Sequence, residues 1–130
     1  MPSKIDEGLN VAFFVFHTLW IAFVCVGWAW KRTRRWHVAA ASITALSWFG
    51  LGIVYGWGYC PFTDWHWQVR ERLGHRDPPS YVQLLISETM GIELSPDVAN
   101  ALALVVLVLA GIVTALLNLR DWRRERRLAS

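Results

Sequence analysis

Four side chains in this sequence could do chemistry if their surroundings allowed it: His17, Cys60, Asp64 and His66. His17 stands in a stretch with no Asp, Glu, Lys or Arg, where an ionisable group is costly and therefore raises a functional hypothesis. An imidazole there could ligate the iron of haem b or donate a hydrogen bond to a quinone carbonyl, with His66 as a possible second ligand. Equally, it could be a neutral histidine bonded to another helix, through Ser47 or Thr44. Cys60, Asp64 and His66 fall close together in "GYCPFTDWHWQVRE" (58–71). A thiol, a carboxylate and an imidazole are ligands for zinc or copper, and a thiolate beside a histidine can be a nucleophile. One Cys and one nearby His fall short of the three or four ligands of a zinc site. The competing reading is structural: Thr63 caps a surface helix and Asp64 favours its first turn.

The elements that must position these groups are written in the charge pattern. Leu9 to Trp30, Trp36 to Phe62 and Val98 to Leu119 contain no charged residue. An uncharged apolar run of about 20 residues spans a bilayer core at 1.5 Å per residue. Three such runs predict an all-α integral membrane protein, a single membrane domain over 1–130. Its spans cover about 9–30, 36–59 and 96–119, with an outer connector over 60–95 and a basic tail over 120–130. The first run is expected to be a retained span and not a signal peptide. Its leader sets Lys4 against Asp6 and Glu7, and a basic block follows where a cleavage site should lie.

Of 13 Lys and Arg, four lie in 31–35 and five in 120–127. Such an excess marks the cytoplasmic side. The N-terminus is then outside, the connector outside and the C-terminus cytoplasmic, and the net charge of +3 is topological. Nothing in that pattern calls for nucleic acid. Cys25 and Cys60 lie at opposite depths, roughly 20 Å apart at the helical rise, too far for a disulfide. Trp28, Trp30 and Trp36 fall at the inner interface and Trp57, Trp65 and Trp67 at the outer one, as aromatic belts do. Trp20 and Trp48 lie mid-span and read as packing residues.

The second span is rich in small residues. Ala41 and Ala45, and Gly52 and Gly56, are each one turn apart, a spacing that lets helices approach closely in lipid. They are expected to pack on other membrane subunits or on a second copy. In the connector, Trp65, Val69 and Leu73 recur every four residues up to Gly74. They predict a short amphipathic helix lying on the bilayer surface or against the bundle. Ser80-Tyr81-Val82-Gln83 is a capping box for a second helix that ends at Gly91, with Glu88 on its surface. Ser95-Pro96-Asp97 starts the third span. His37 and His75 read as interfacial or solvated. No phosphate-binding loop, Ser-His-Asp order or carboxylate pair is present, so the residues lend an enzyme little support.

At "GYCPFTDWHWQVR" the chain resembles the bacterial membrane family called domain of unknown function 2784. The resembling positions are His17, Arg35-Trp36-His37, Trp48, Gly56 and Cys60-Pro61-Phe62-Thr63, over roughly 9–119. Members commonly carry Leu where this chain has Phe62, and many carry a connector histidine where it has Gln83. Asp64-Trp65-His66 marks a divergent branch. The resemblance implies a small inner-membrane protein and brings no activity with it. Two functions remain open: a non-enzymatic accessory or scaffold subunit of a membrane complex, or a haem- or quinone-binding redox module centred on His17.

Overall fold

The computed structural model describes residues 3–130, which form helices and no strand. Helix α1 (Lys4–Val26) starts at Ser3, whose hydroxyl accepts from the Asp6 amide. It runs into a 3₁₀ turn, Gly27–Ala29. After the basic turn, α2 (Arg34–Ala45) leads into a widened π-helical segment, Leu46–Leu51, and a last short helix, α3 (Gly52–Tyr55). The connector that follows carries α4 (Pro61–Arg72) and α5 (Tyr81–Met90), and α6 (Pro96–Ala129) closes the chain. Three stretches, Lys4–Ala29, Arg34–Tyr55 and Pro96–Ala129, are long and apolar enough to cross a membrane. The all-α, three-span reading therefore stands.

The C-terminal end of α1 and the 3₁₀ turn after it show how orphan carbonyls are satisfied. A helix end leaves four carbonyls without intrahelical partners. Here His37 Nε2 donates to the Val24 carbonyl (2.7 Å), Trp28 Nε1 to Cys25 (2.7 Å), the Thr33 hydroxyl to Gly27 (2.6 Å) and Arg34 Nε to Trp28 (2.9 Å). Arg34 also pairs with Asp121 on α6 at 2.7 Å, so one guanidinium joins all three spans. His37 is fully buried, which corrects its reading as an interfacial or solvated group. The carbonyl it caps draws it in. Farther up, Val24, Ala40 and Leu107 form the core, with Trp20, Phe23 and Trp48 packed against it. Trp20 also donates to the Thr44 hydroxyl at 3.0 Å, so the two mid-span tryptophans are packing residues as expected.

Three boundaries differ from the sequence reading. The second span stops at Tyr55 rather than at 59, because Gly56 takes φ +107 and turns the chain back. The returning strand of chain is tied to the span it has just left. Gly58 N–H donates to the Trp48 carbonyl (3.3 Å) and the Ser47 hydroxyl to the Tyr59 carbonyl (2.7 Å). Second, α4 is capped by Cys60 and carries Pro61 at its first position, so Pro61 begins a helix and Thr63 is no cap. Proline suits that place because its ring presets φ and the missing N–H would be unpaired anyway. Third, α6 continues through the basic tail to Ala129.

Helix α4 packs on α1 and does not lie free on the bilayer surface. Its buried residues are His66 and Val69, while Trp65 is half exposed. The Trp65–Val69–Leu73 stripe thus corrects to a face rotated by about one residue. The end of α4 follows expectation, with Leu73 as cap and Gly74 at φ +85. The capping box at Ser80, the left-handed Gly91 and the Ser95 cap of α6 are formed as well.

Candidate functional site

Helix α1 supplies the floor of the site. Asn10 and His17 are two helical turns apart and so share a face, and Thr18 stands beside His17. Over that face fold α4, bringing Cys60 and His66, and the first residue of α5, Tyr81. The connector therefore folds inward, and His66 is fully buried instead of starting at the surface.

Tyr81 joins the parts. Its ring lies against the His17 imidazole with centroids 3.8 Å apart and planes 22° from parallel. Its hydroxyl donates to the Phe14 carbonyl at 3.1 Å and meets the Thr18 hydroxyl at 2.8 Å. With its one proton so used, the phenol accepts from Thr18. Burial pushes the Tyr81 phenol upward from its usual range, against the opposing influence of Thr18 and Arg70. It stays a protonated donor at neutral pH.

His66 sits against Phe13, with ring centroids 5.7 Å apart, and lies 6.1 Å from Tyr81. Its Nε2 donates to the Asn10 side-chain oxygen at 2.7 Å. The same oxygen faces Arg70 Nη1 at 3.4 Å, while Arg70 Nε holds both oxygens of Asp77 at 2.8 and 2.9 Å. Burial lowers the His66 imidazole to about 4 and the Arg70 charge acts the same way, with Asp77 and the Asn10 bond opposing. His66 is consequently neutral near pH 7, a donor at Nε2 and unpartnered at Nδ1.

Cys60 faces a different histidine from the one its neighbourhood in sequence suggests. Its sulfur is 4.0 Å from His17 Nε2, whereas Asp64 accepts from the Tyr59 hydroxyl at 3.0 Å. Cys60, Asp64 and His66 thus point to three separate partners. Among the described residues no group of three His, Cys, Asp or Glu side chains could hold a metal ion. His17 makes no bond to Ser47 or Thr44, which are engaged with Tyr59 and Trp20. Its Nδ1 is buried without a partner. Both cysteines are free, in keeping with their difference in depth.

Next to the cluster, a groove of about 240 Å³ is lined by Leu9, Ala12, Phe13, Phe16 and Phe62, with no imidazole on its wall. Of the small residues of the second span, Ala41 is buried and Ala45 half-buried. Gly52 and Gly56 serve the chain's own turn: a Cβ at Gly52 would stand 3.2 Å from the Trp57 Cα. Glu88 is exposed on α5. The residues that sequence reasoning passed over are Asn10, Thr18 and Tyr81. Asn10 could have been found by its seven-residue spacing from His17. Tyr81 could not, since only tertiary folding sets α5 over α1.

Residues 8–119 match the family described as "Protein of Unknown function (DUF2784)". No curated protein and no solved structure matches the chain. The match covers most of the sequence, and the chain belongs to that family.

Proposed function

We propose that this member of the DUF2784 family is a non-enzymatic accessory subunit of a complex in the bacterial inner membrane, with its N-terminus and connector outside and its C-terminus in the cytoplasm. The observation that carries the reading is the open face of the second span. Ala39, Ser42 and Gly50 are exposed there, and a Cβ at Gly50 would meet nothing. Lipid fills space next to large apolar side chains as readily as next to small ones. Small residues confer an advantage when another helix comes close. In the most apolar 18 residues of each stretch only 11%, 17% and 17% are buried within the chain, which leaves ample surface for partners. Orientation follows from the basic blocks at 31–35 and 120–127.

A second reading, a redox module holding haem b or quinone near His17 and His66, draws support from the inward-folded connector. The His17 and His66 rings lie 3.8 and 6.1 Å from that of Tyr81, near one another at the same face of α1.

Purification from native membranes in mild detergent tests the two together. Larger membrane proteins should travel with the chain in fixed stoichiometry, in a preparation without a visible chromophore. A chain that runs alone overturns the accessory reading. A Soret band or a stoichiometric quinone, lost in His17→Ala, establishes the redox module instead.

A further inference from the structure

The Cys60 thiol and the His17 imidazole face each other across 4.0 Å. Neither has a nitrogen or oxygen side-chain partner elsewhere among the described residues. His17 is 8% exposed, and its Nε2 has only the sulfur before it. Cys60 is half-buried at the N-cap of α4. We propose that Cys60 Sγ and His17 Nε2 form a two-coordinate site for a soft monovalent cation, Cu(I).

The spacing comes first. With metal–sulfur and metal–imidazole bonds of about 2.3 and 2.0–2.1 Å, tetrahedral donors sit about 3.6 Å apart and collinear ones about 4.3–4.4 Å. The observed 4.0 Å contact lies within that span, so the two donors can close on one ion with a shift of about 0.3–0.4 Å either way. With no third His, Cys, Asp or Glu donor beside the pair among the described residues, the site is low-coordinate, which Cu(I) accepts and which falls short of the three or four protein ligands of zinc. Charge agrees with geometry. A thiolate, a neutral imidazole and a monovalent cation sum to zero, whereas a divalent ion leaves a net positive charge beside the apolar first span. The carboxylate that could offset it, Asp64, is turned to Tyr59. Thiolate softness selects Cu(I) in the same direction. On binding, the S–H proton is released to water and the sulfur and Nε2 lone pairs fill the metal's two positions, with no change of oxidation state.

The Tyr81 ring holds the imidazole plane, so little rotation is needed. Binding through Nε2 leaves the proton on Nδ1, which faces no protein acceptor. Affinity should accordingly fall about 10–100-fold below that of sites whose histidine is backed by a carboxylate. This inference goes beyond the accessory reading and stands whether or not larger subunits copurify.

The test titrates Cu(I) anaerobically into the full chain in detergent micelles against bicinchoninate, followed by X-ray absorption at the copper edge. One Cu(I) per chain should bind, ligated by one sulfur and one nitrogen. Cys60→Ser and His17→Gln should each weaken binding by at least about tenfold, and Cys25→Ser should leave it unchanged. Circular dichroism of His17→Gln and of Cys60→Ser separates loss of a ligand from loss of the fold. Failure to take Cu(I) from the chelator, equal uptake by Cys60→Ser, or two sulfurs per copper would each overturn the site.

Discussion

His66 and Tyr81 show what burial does to ordinary side chains. His66 is taken from water by α1, α4 and α5, and its neighbours are Asn10, Phe13, Trp67, Arg70, Asp77 and Tyr81. Its imidazole falls from 6.5 to about 4 because burial and then Arg70 disfavour the cation. Between those values the unfolded chain binds more protons than the folded one, so stability rises with pH. The contribution of His66 is complete above about 6.5 and is lost as pH falls through about 4. Limited proteolysis of the connector between pH 8 and pH 4.5 should thus accelerate toward the acid end. His66→Phe should flatten that dependence; a wild-type rate that stays level would show that His66 is not held neutral by the fold. Asn10 was passed over in the sequence, and its bond to His66, 56 positions away, could not be read there.

At the scale of elements, the second span is the instructive case. Its apolar run continues to Phe62, and no local signal of composition says that the helix ends at Tyr55. The end is made by Gly56 in a positive-φ conformation and by the bonds from Gly58 and Ser47 that fold the chain back. Gly52 permits this by letting the Trp57 backbone come close. Gly52→Ala should therefore destabilise the protein by about 1–3 kcal/mol, the range for overfilling a packed site. Gly50→Ala meets open space and should cost nothing. Denaturation in mixed micelles measures both. Equal effects would mean that Gly52 acts only through helix propensity. The short helices were legible in part: the caps of α5 and α6 follow from Ser80, Gln83, Ser95 and Pro96. The buried face of α4 was not, because His66 turns inward to meet Asn10.

For the whole molecule, the bundle is clasped at both ends. Arg34 gathers one end of the three spans through Trp28 and Asp121, and at the other end the Asn10–His66–Arg70–Asp77 bonds hold the connector on α1. At 1.5 Å per residue, the 34 residues of α6 are about 50 Å long, far more than the hydrocarbon core of about 30 Å. Its basic end must extend beyond the bilayer. In intact spheroplasts a membrane-impermeant maleimide should modify Cys60 and spare Cys25. Protection of Cys60, with labelling only after lysis, would reverse the proposed orientation.

The number of spans, the placement of charge and the caps of α5 and α6 are determined by the sequence itself, since each depends on the free energy of a short segment in water or lipid. Twenty uncharged residues favour the bilayer whatever their neighbours are. The site depends instead on contacts between segments far apart in the chain. Cys60 meets His17 across 43 positions and Tyr81 meets Thr18 across 63. Only the inward fold of the connector brings them together, and it does so because α1 offers Asn10, Thr18 and a backbone carbonyl to polar groups that would otherwise be buried without partners.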